Sequence, residues 1–266
     1  MPSRLILLFV LGLALCGCAA STPNLPYPAF IQTDDIPDVF MATLPGVRAK
    51  RYVEDYATRT GRYRIDLPPS WSGTSGGIPN AALELFVLEG ELTVGDIKLI
   101  PGGYAYLPSG SLGFRLASGQ GARILYLMSG EDPASVIRSP LILDGVESEW
   151  QEIAPGISHR VLRSDPGSGA RTWLLKTTSA AEPVWRSSTT TREGHLVSGS
   201  HTMSECHDGK VKTGRYAAGG YFLRPANTIF GGAETGTERE SIWFLSESAA
   251  ATVTATGLCI RTEPDE

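Results

Sequence analysis

At 266 residues the chain has room for a core in each of two domains. A net charge of −5, with no Lys/Arg run following an aromatic platform, argues against nucleic acid as a partner. Thirty Gly among 42% apolar residues fits a turn-rich β protein, since average Gly usage is only about 7%.

The N-terminus carries the first signal. Arg4 makes a short basic start, and Leu5 to Leu15 is an apolar run too short to span a bilayer comfortably, as in a cleaved export signal. The run ends in Leu15-Cys16-Gly17-Cys18, which resembles the lipobox of bacterial lipoproteins. Cys18 fits as the lipidated residue because Gly17 precedes it, whereas bulky Leu15 precedes Cys16. The resemblance implies removal of residues 1–17, palmitate-type acyl chains on Cys18, and membrane lipid as a partner. Ala19 rather than Asp after the Cys favours the outer membrane, on its periplasmic side. A plain secretory signal cut after Ala19 or Ala20 is the alternative. Residues 18–38, with Pro23, Pro26, Pro28 and Pro37 and no helical period, read as an extended tether.

The first domain is placed at 39–130, with strands expected over 51–56, 62–67, 82–88, 97–100, 104–107, 112–116 and 123–127. Tyr63, Ile65 and Leu67 alternate so as to face the interior, and the Gly- and Ser-rich stretch 70–80 reads as a loop. Residues 131–147 form a linker whose Leu141-Ile-Leu143 is expected to pack across the domain interface, with Pro133 to Ile137 as a single helical turn. The second domain, 148–263, is expected to hold strands over 171–176, 193–203, 210–216, 221–224, 241–245 and 251–260, with Asp208-Gly209 turning between two of them. For Cys206 and Cys259 both a disulfide, which an oxidising compartment permits, and two isolated thiols are open.

One stretch recurs. Glu84-Leu-Phe-Val-Leu-Glu-Gly90 leads to Gly102-Gly-Tyr104-Ala-Tyr-Leu-Pro108, and Glu193-Gly-His-Leu-Val-Ser-Gly199 leads to Gly219-Gly-Tyr221-Phe-Leu-Arg-Pro225. In both copies the Glu stands six positions before its Gly, and the Gly-Gly-Tyr begins six positions before its Pro. Such a repeat indicates two homologous β-rich domains. Leu83, Leu85 and Val87 alternate with Glu84, Phe86 and Leu88, so the first copy is a strand covered on both faces.

The repeat resembles the cupin family, whose first motif ends in a Glu followed by a Gly and whose second runs Gly, Pro, Gly, His. The resemblance spans both halves and implies an all-β bicupin of two tandem jelly-roll barrels with very little helix. The first half looks most like the ureidoglycine aminohydrolase branch, and the second like a group of uncharacterised two-domain cupins. Cupin metal sites take two His and a Glu from the first motif and one His from the second. Carried onto this chain, the paired His positions fall at Gly76 to Pro79 and at Trp185 to Ser188, and the second-motif His positions at Gly113 and Phe230. No imidazole stands at any of them, so no metal or other cofactor is expected.

Glu84 and Glu193 also stand one place nearer their Gly than the common spacing, which leaves their inward direction open, since a one-residue shift reverses the face. Each is expected to be paired, Glu193 with Arg186 or Arg192, or else to face solvent. The candidate ligand pocket comprises Glu84, Tyr104 and Phe114 in the first barrel, with Tyr63, Phe86 and Tyr106 as further walls. In the second it comprises Glu193, His195, Arg186, Arg224, Tyr221, Phe230 and Trp243, with Trp173 and Trp185. Arg186 and Arg224 suit an anionic ligand.

Two functions follow. One is a non-enzymatic, membrane-anchored protein binding a small molecule or an envelope partner. The alternative is a metal-dependent hydrolase or oxygenase whose ligands are Glu193, His195 and His201. On the first reading His195 is a hydrogen-bonded wall residue, and His201 and His207 are exposed hairpin residues. Homodimerisation by exchange of edge strands is a trait of the family.

Overall fold

Short strands that alternate apolar and polar residues, punctuated by Gly and Pro, close into barrels because closure removes exposed sheet edges. The computed structural model describes residues 27–75, 80–111, 113–145 and 149–259. Cys18 with its lipobox, and Gly76 to Pro79, lie outside the described residues.

The first half supplies β1 (Ile31–Gln32), β2 (Asp38–Phe40), β3 (Arg48–Asp55), β4 (Thr60–Leu67), β5 (Trp71–Thr74), β6 (Ala81–Gly90), β7 (Leu92–Val94), β8 (Ile97–Leu99), β9 (Tyr104–Leu107), β10 (Arg115–Ser118), β11 (Ala122–Gly130) and β12 (Leu141–Leu143). The second supplies β13 (Gln151–Ala154), β14 (Ile157–Ser164), β15 (Arg171–Thr178), β16 (Arg186–Ser188), β17 (Arg192–His207), β18 (Lys210–Ala217), β19 (Gly220–Arg224), β20 (Ile229–Phe230), β21 (Glu240–Glu247) and β22 (Val253–Ala255). A 3-10 turn at Thr33–Asp35 is the one helical element among the described residues.

Sheet β12-β9-β6-β11-β4-β3-β2 faces the small sheet β5-β10-β7-β8 across the first barrel. In the second barrel β17 is long enough to serve both walls. Its first half pairs with β19 and β21, and its second half with β18 and β20. The architecture is the expected one of two all-β barrels. The stretch 70–80, expected to be loop, contains β5, and Pro133 to Ile137 forms no helical turn.

Among the described residues three apolar clusters form the core. Leu83, Leu85 and Val87 join Tyr63, Ile65, Leu67 and Leu92 inside the first barrel. Leu196, Trp173, Trp243 and Phe230 lie inside the second. The third lies between the barrels, where Phe86, Tyr104 and Leu127 of the first meet Leu162, Leu174 and Phe244 of the second, with Leu141 and Leu143 packed against them.

Both copies of the repeated strand carry a bulge at the same place. Leu88 in β6 and Val197 in β17 have no partner in the register with β11 and β21. Beyond each bulge stands the repeat's Gly, at φ +75° in Gly90 and +82° in Gly199. A Cβ on Gly199 would lie 2.1 Å from the Glu240 carbonyl oxygen, so only Gly fits this left-handed, crowded position.

One edge strand crosses between the halves, and a linker strand closes the first sheet. β1, which precedes the first barrel, pairs with β19 of the second, and β12, which precedes the second, pairs with β9 of the first. The described part of the expected extended tether, residues 27–38, is thus held against the barrels. Thr33 hydrogen-bonds the Gly219 carbonyl and the Tyr52 hydroxyl, and Arg64 of the first barrel donates to Asp34 at 2.8 Å. The disulfide option holds as well: Cys206 in β17 is bonded to Cys259 beyond β22.

Candidate functional site

The repeated Glu residues point out of their barrels into the interface between them. Glu84 accepts hydrogen bonds from Tyr104, from Thr172 and from Arg163 at 3.0 Å, the last two belonging to the second barrel. Glu193 accepts from Tyr221 at 3.2 Å and from Arg62 of the first barrel at 2.6 Å. In each half, then, the Glu and the Tyr of the repeat bond one another, and an arginine of the opposite barrel neutralises the carboxylate. The expected partners Arg186 and Arg192 are not those of Glu193. The parity of β17 explains this, since Arg192 and Leu196 turn inward and Glu193 turns outward.

Tyr52 completes this interface. Its ring stacks on Tyr221 at 4.0 Å, and its hydroxyl meets His195 Nδ1 at 3.2 Å. Burial, with Arg64 nearby, pushes His195 down to about 3, so the imidazole is neutral. Burial and the adjacent carboxylates hold Tyr104 and Tyr221 well above the ordinary phenol range. The space beside Glu193 and His195 is about 10 Å³, scarcely enough for one water. Glu84, Tyr104, Phe86 and Tyr106, like Glu193, His195 and Tyr221, are thus interface residues and line neither barrel. Tyr63 is core, and Phe114 packs half-buried against that core.

The second barrel's interior is different. A cavity of about 370 Å³ opens there, within the range of about 300–1,000 Å³ usual for small-molecule sites. Trp173, Phe230, Trp243, Arg186 and Arg224 line it, as do residues that sequence reasoning did not select: Arg171, Arg192 and Met203. Exposed Ile153, Glu182 and Val253 mark its mouth. Trp185 lies instead against Gly232.

Three of the arginines alternate with aromatic rings. The Arg171 guanidinium carbon lies 4.2 Å from the Trp173 ring centroid, and Arg192 is 5.4 Å from the same ring and 5.8 Å from Phe230. Arg224 is 3.8 Å from Phe230 and 4.3 Å from Phe222. Each contact is worth about 0.5–2 kcal/mol depending on desolvation. Glu247, buried, accepts from both Arg171 and Arg192, and Glu205, also buried, from Arg224 at 2.6 Å. Glu205 further accepts from Tyr27 at 2.7 Å. Burial lowers the Arg192 pKa against the pull of Glu247, and the neighbouring charges of Arg224 and Arg171 lower it further.

His201 was expected on an exposed hairpin, but it is buried and lines this cavity. The bulge at Val197 is the reason: past it the inward positions change from even to odd, bringing His201, Met203 and Glu205 inside. Nδ1 of His201 meets the Ser241 hydroxyl at 2.9 Å, the ring stands edge-on to Trp243, and burial pushes its pKa down to about 4. Glu193 and His195 face the interface while His201 faces the cavity, so the alternative ligand set does not converge. His207 is half-buried and bonded to Asp208.

Among the described residues no three His, Cys, Asp or Glu side chains gather where they could hold a metal ion. Where cupin metal ligands would fall in the second barrel, Arg186 and Phe230 face the cavity, and the buried carboxylates behind its wall, Glu247 and Glu205, are already committed to arginines. A cationic, aromatic donor set does not fit a metal cation. No helix among the described residues is long and apolar enough to cross a membrane.

No family model matches this sequence, and no curated protein does. Among solved structures the chain is similar to a provisionally assigned dioxygenase from Nostoc punctiforme, with a TM-score of 0.66 and 18% identity over 86% of each chain. It is similar to protein Ylba from E. coli, with a TM-score of 0.66 and 15% identity over 82% of this chain and 90% of that one. A Bacillus subtilis oxalate decarboxylase, OxdC, gives a TM-score of 0.62 and 13% identity over 85% of this chain and 78% of the other. At such identities the likeness speaks to fold: the chain is built as two tandem cupin-type jelly-roll barrels.

Proposed function

We propose that the chain is a membrane-anchored lipoprotein of the bacterial envelope that binds a small organic molecule in its second barrel, without metal and without catalysis. The observation that carries this reading is the cavity of about 370 Å³ walled by Trp173, Phe230, Trp243 and four arginines. It is a concave, largely apolar site with a few polar groups aimed into it, which is what recognition of a small molecule requires. The Leu15-Cys16-Gly17-Cys18 run supports export and lipidation at Cys18, and a disulfide between Cys206 and Cys259 suits an oxidising compartment.

Two measurements test it. Cell fractionation should find the wild type in the membrane and the Cys18→Ala variant in the soluble periplasm; a soluble wild type would refute the anchor. Organic extracts of purified protein should contain a small molecule that is lost when Leu175→Trp fills the cavity. Retention of that molecule by the filled variant would place the site elsewhere, and stoichiometric bound metal would overturn the metal-free reading.

A further inference from the structure

Resting on the reading that this cavity is a ligand site, we infer that its ligand is an amphipathic carboxylate, whose anionic head is bound by Arg186 and whose apolar body lies along Trp173, Phe230 and Trp243. The charge balance of the walls is the starting point. Four guanidinium groups, of Arg171, Arg186, Arg192 and Arg224, line the cavity. The carboxylates bonded to them are two: Glu247, shared by Arg171 and Arg192, and Glu205, held by Arg224. These contacts leave two positive charges uncompensated in a largely apolar enclosure. The one acid in the lining itself, Glu182, is exposed at the mouth.

Arg186 is the member without a partner. Among the described residues its guanidinium makes no hydrogen bond or ion pair, although its backbone is fixed on both sides, β16 pairing with β20 through Phe230 and with β22 through Ala255. Its head is therefore free for a ligand while its backbone is held in place, which suits a charge-assisted, two-pronged contact with a carboxylate. The other three are occupied: stacking between Trp173, Phe230 and Phe222 holds them as a cationic wall, which repels cations and favours an anion without forming a full ion pair. The rings and the aliphatic Leu175, Leu245 and Met203 supply apolar surface. A highly charged ligand such as inorganic phosphate would leave that surface unused.

The test titrates the mature chain with phenylacetate and octanoate, with their amides, and with phenethylamine and octylamine, following tryptophan fluorescence and thermal shift. The carboxylates should bind at least about tenfold more tightly than the amides, and the amines should not bind, because a hydrogen bond between charged partners outweighs a neutral one by that factor or more. Arg186→Gln should erase the preference for carboxylate while leaving amide binding and the melting temperature unchanged, since no described contact depends on that guanidinium. Equal binding of amides and carboxylates would overturn the anion assignment, and a preference that survives Arg186→Gln would overturn Arg186 as the group that binds the head, in both cases leaving the cavity a ligand site. No binding of any probe up to about 1 mM, the weak end of specific recognition, would overturn the ligand site itself.

Discussion

Glu193 of the second barrel and Arg62 of the first are joined at 2.6 Å, with their side chains 8% and 14% exposed. Removing one partner of such a buried pair strands a charge, which costs about 3–5 kcal/mol, whereas replacing both by apolar groups of similar size is often neutral. Arg62→Ala should therefore lower stability to urea by roughly that amount, and Arg62→Met with Glu193→Leu should recover most of it. A double variant as unstable as the single would show that the pair supplies more than mutual neutralisation.

Backbone crowding behind the bulges gives a second expectation. Gly199→Ala must adopt φ near +82° and also press its Cβ against the Glu240 carbonyl, so a loss above about 2 kcal/mol is expected. Gly46, at φ +80° with no neighbour within 4 Å of where an added methyl would stand, isolates the conformational part. Gly46→Ala should cost only about 1–2 kcal/mol. Equal losses in denaturant titrations would remove the steric argument.

His195 and His201 set an acid limit. Both have folded pKa values depressed by burial, to about 3 and about 4, below an ordinary value near 6.5. As the pH falls below about 6.5 the unfolded chain takes up these protons and the folded one does not, so stability is full above that pH and declines towards the folded values. Each site contributes up to about 1.4 kcal/mol per pH unit. Melting temperatures measured from pH 7 to pH 4 should fall less steeply for His201→Gln than for the wild type. Parallel curves would mean that the imidazole is not buried neutral.

Cys206 and Cys259 are 53 residues apart. Closing a loop of that size removes chain entropy worth about 4 kcal/mol from the unfolded state, so Cys206→Ser with Cys259→Ser should lower the melting temperature by roughly 8–16 °C. Reduction of the wild type should reproduce the loss.

Architecture was legible in the chain because the repeat is local: a Glu, a Gly six positions on, and Gly-Gly-Tyr before Pro recur within one strand and the next turn. The site was less so, because both bulges change which face a residue takes. Glu193 and His195 share the parity of His201 on paper, yet Val197 puts the first two outside the barrel and the third inside. Nor does a single strand reveal its partner in the other barrel. The available signal was the alternation in β4, where Arg62 and Arg64 oppose Tyr63 and Ile65 and so require a covered, polar face. Arg192 carried a similar sign: with Leu196 it belongs to the even-numbered set opposite Glu193, which places a cation inside the second barrel.

The crossing of β1 to β19 bears on how the gene can be cut. Separated between residues 130 and 150, the fragments break the β1–β19 ladder wherever the cut falls, and β9 keeps β12 only if the cut falls after Leu143. The carboxy-terminal fragment would also present Glu193 and a bare β19 rim to solvent, a template for sticking to its own kind. Neither half is thus a self-sufficient module, and recombination that shuffles one without the other should yield aggregates.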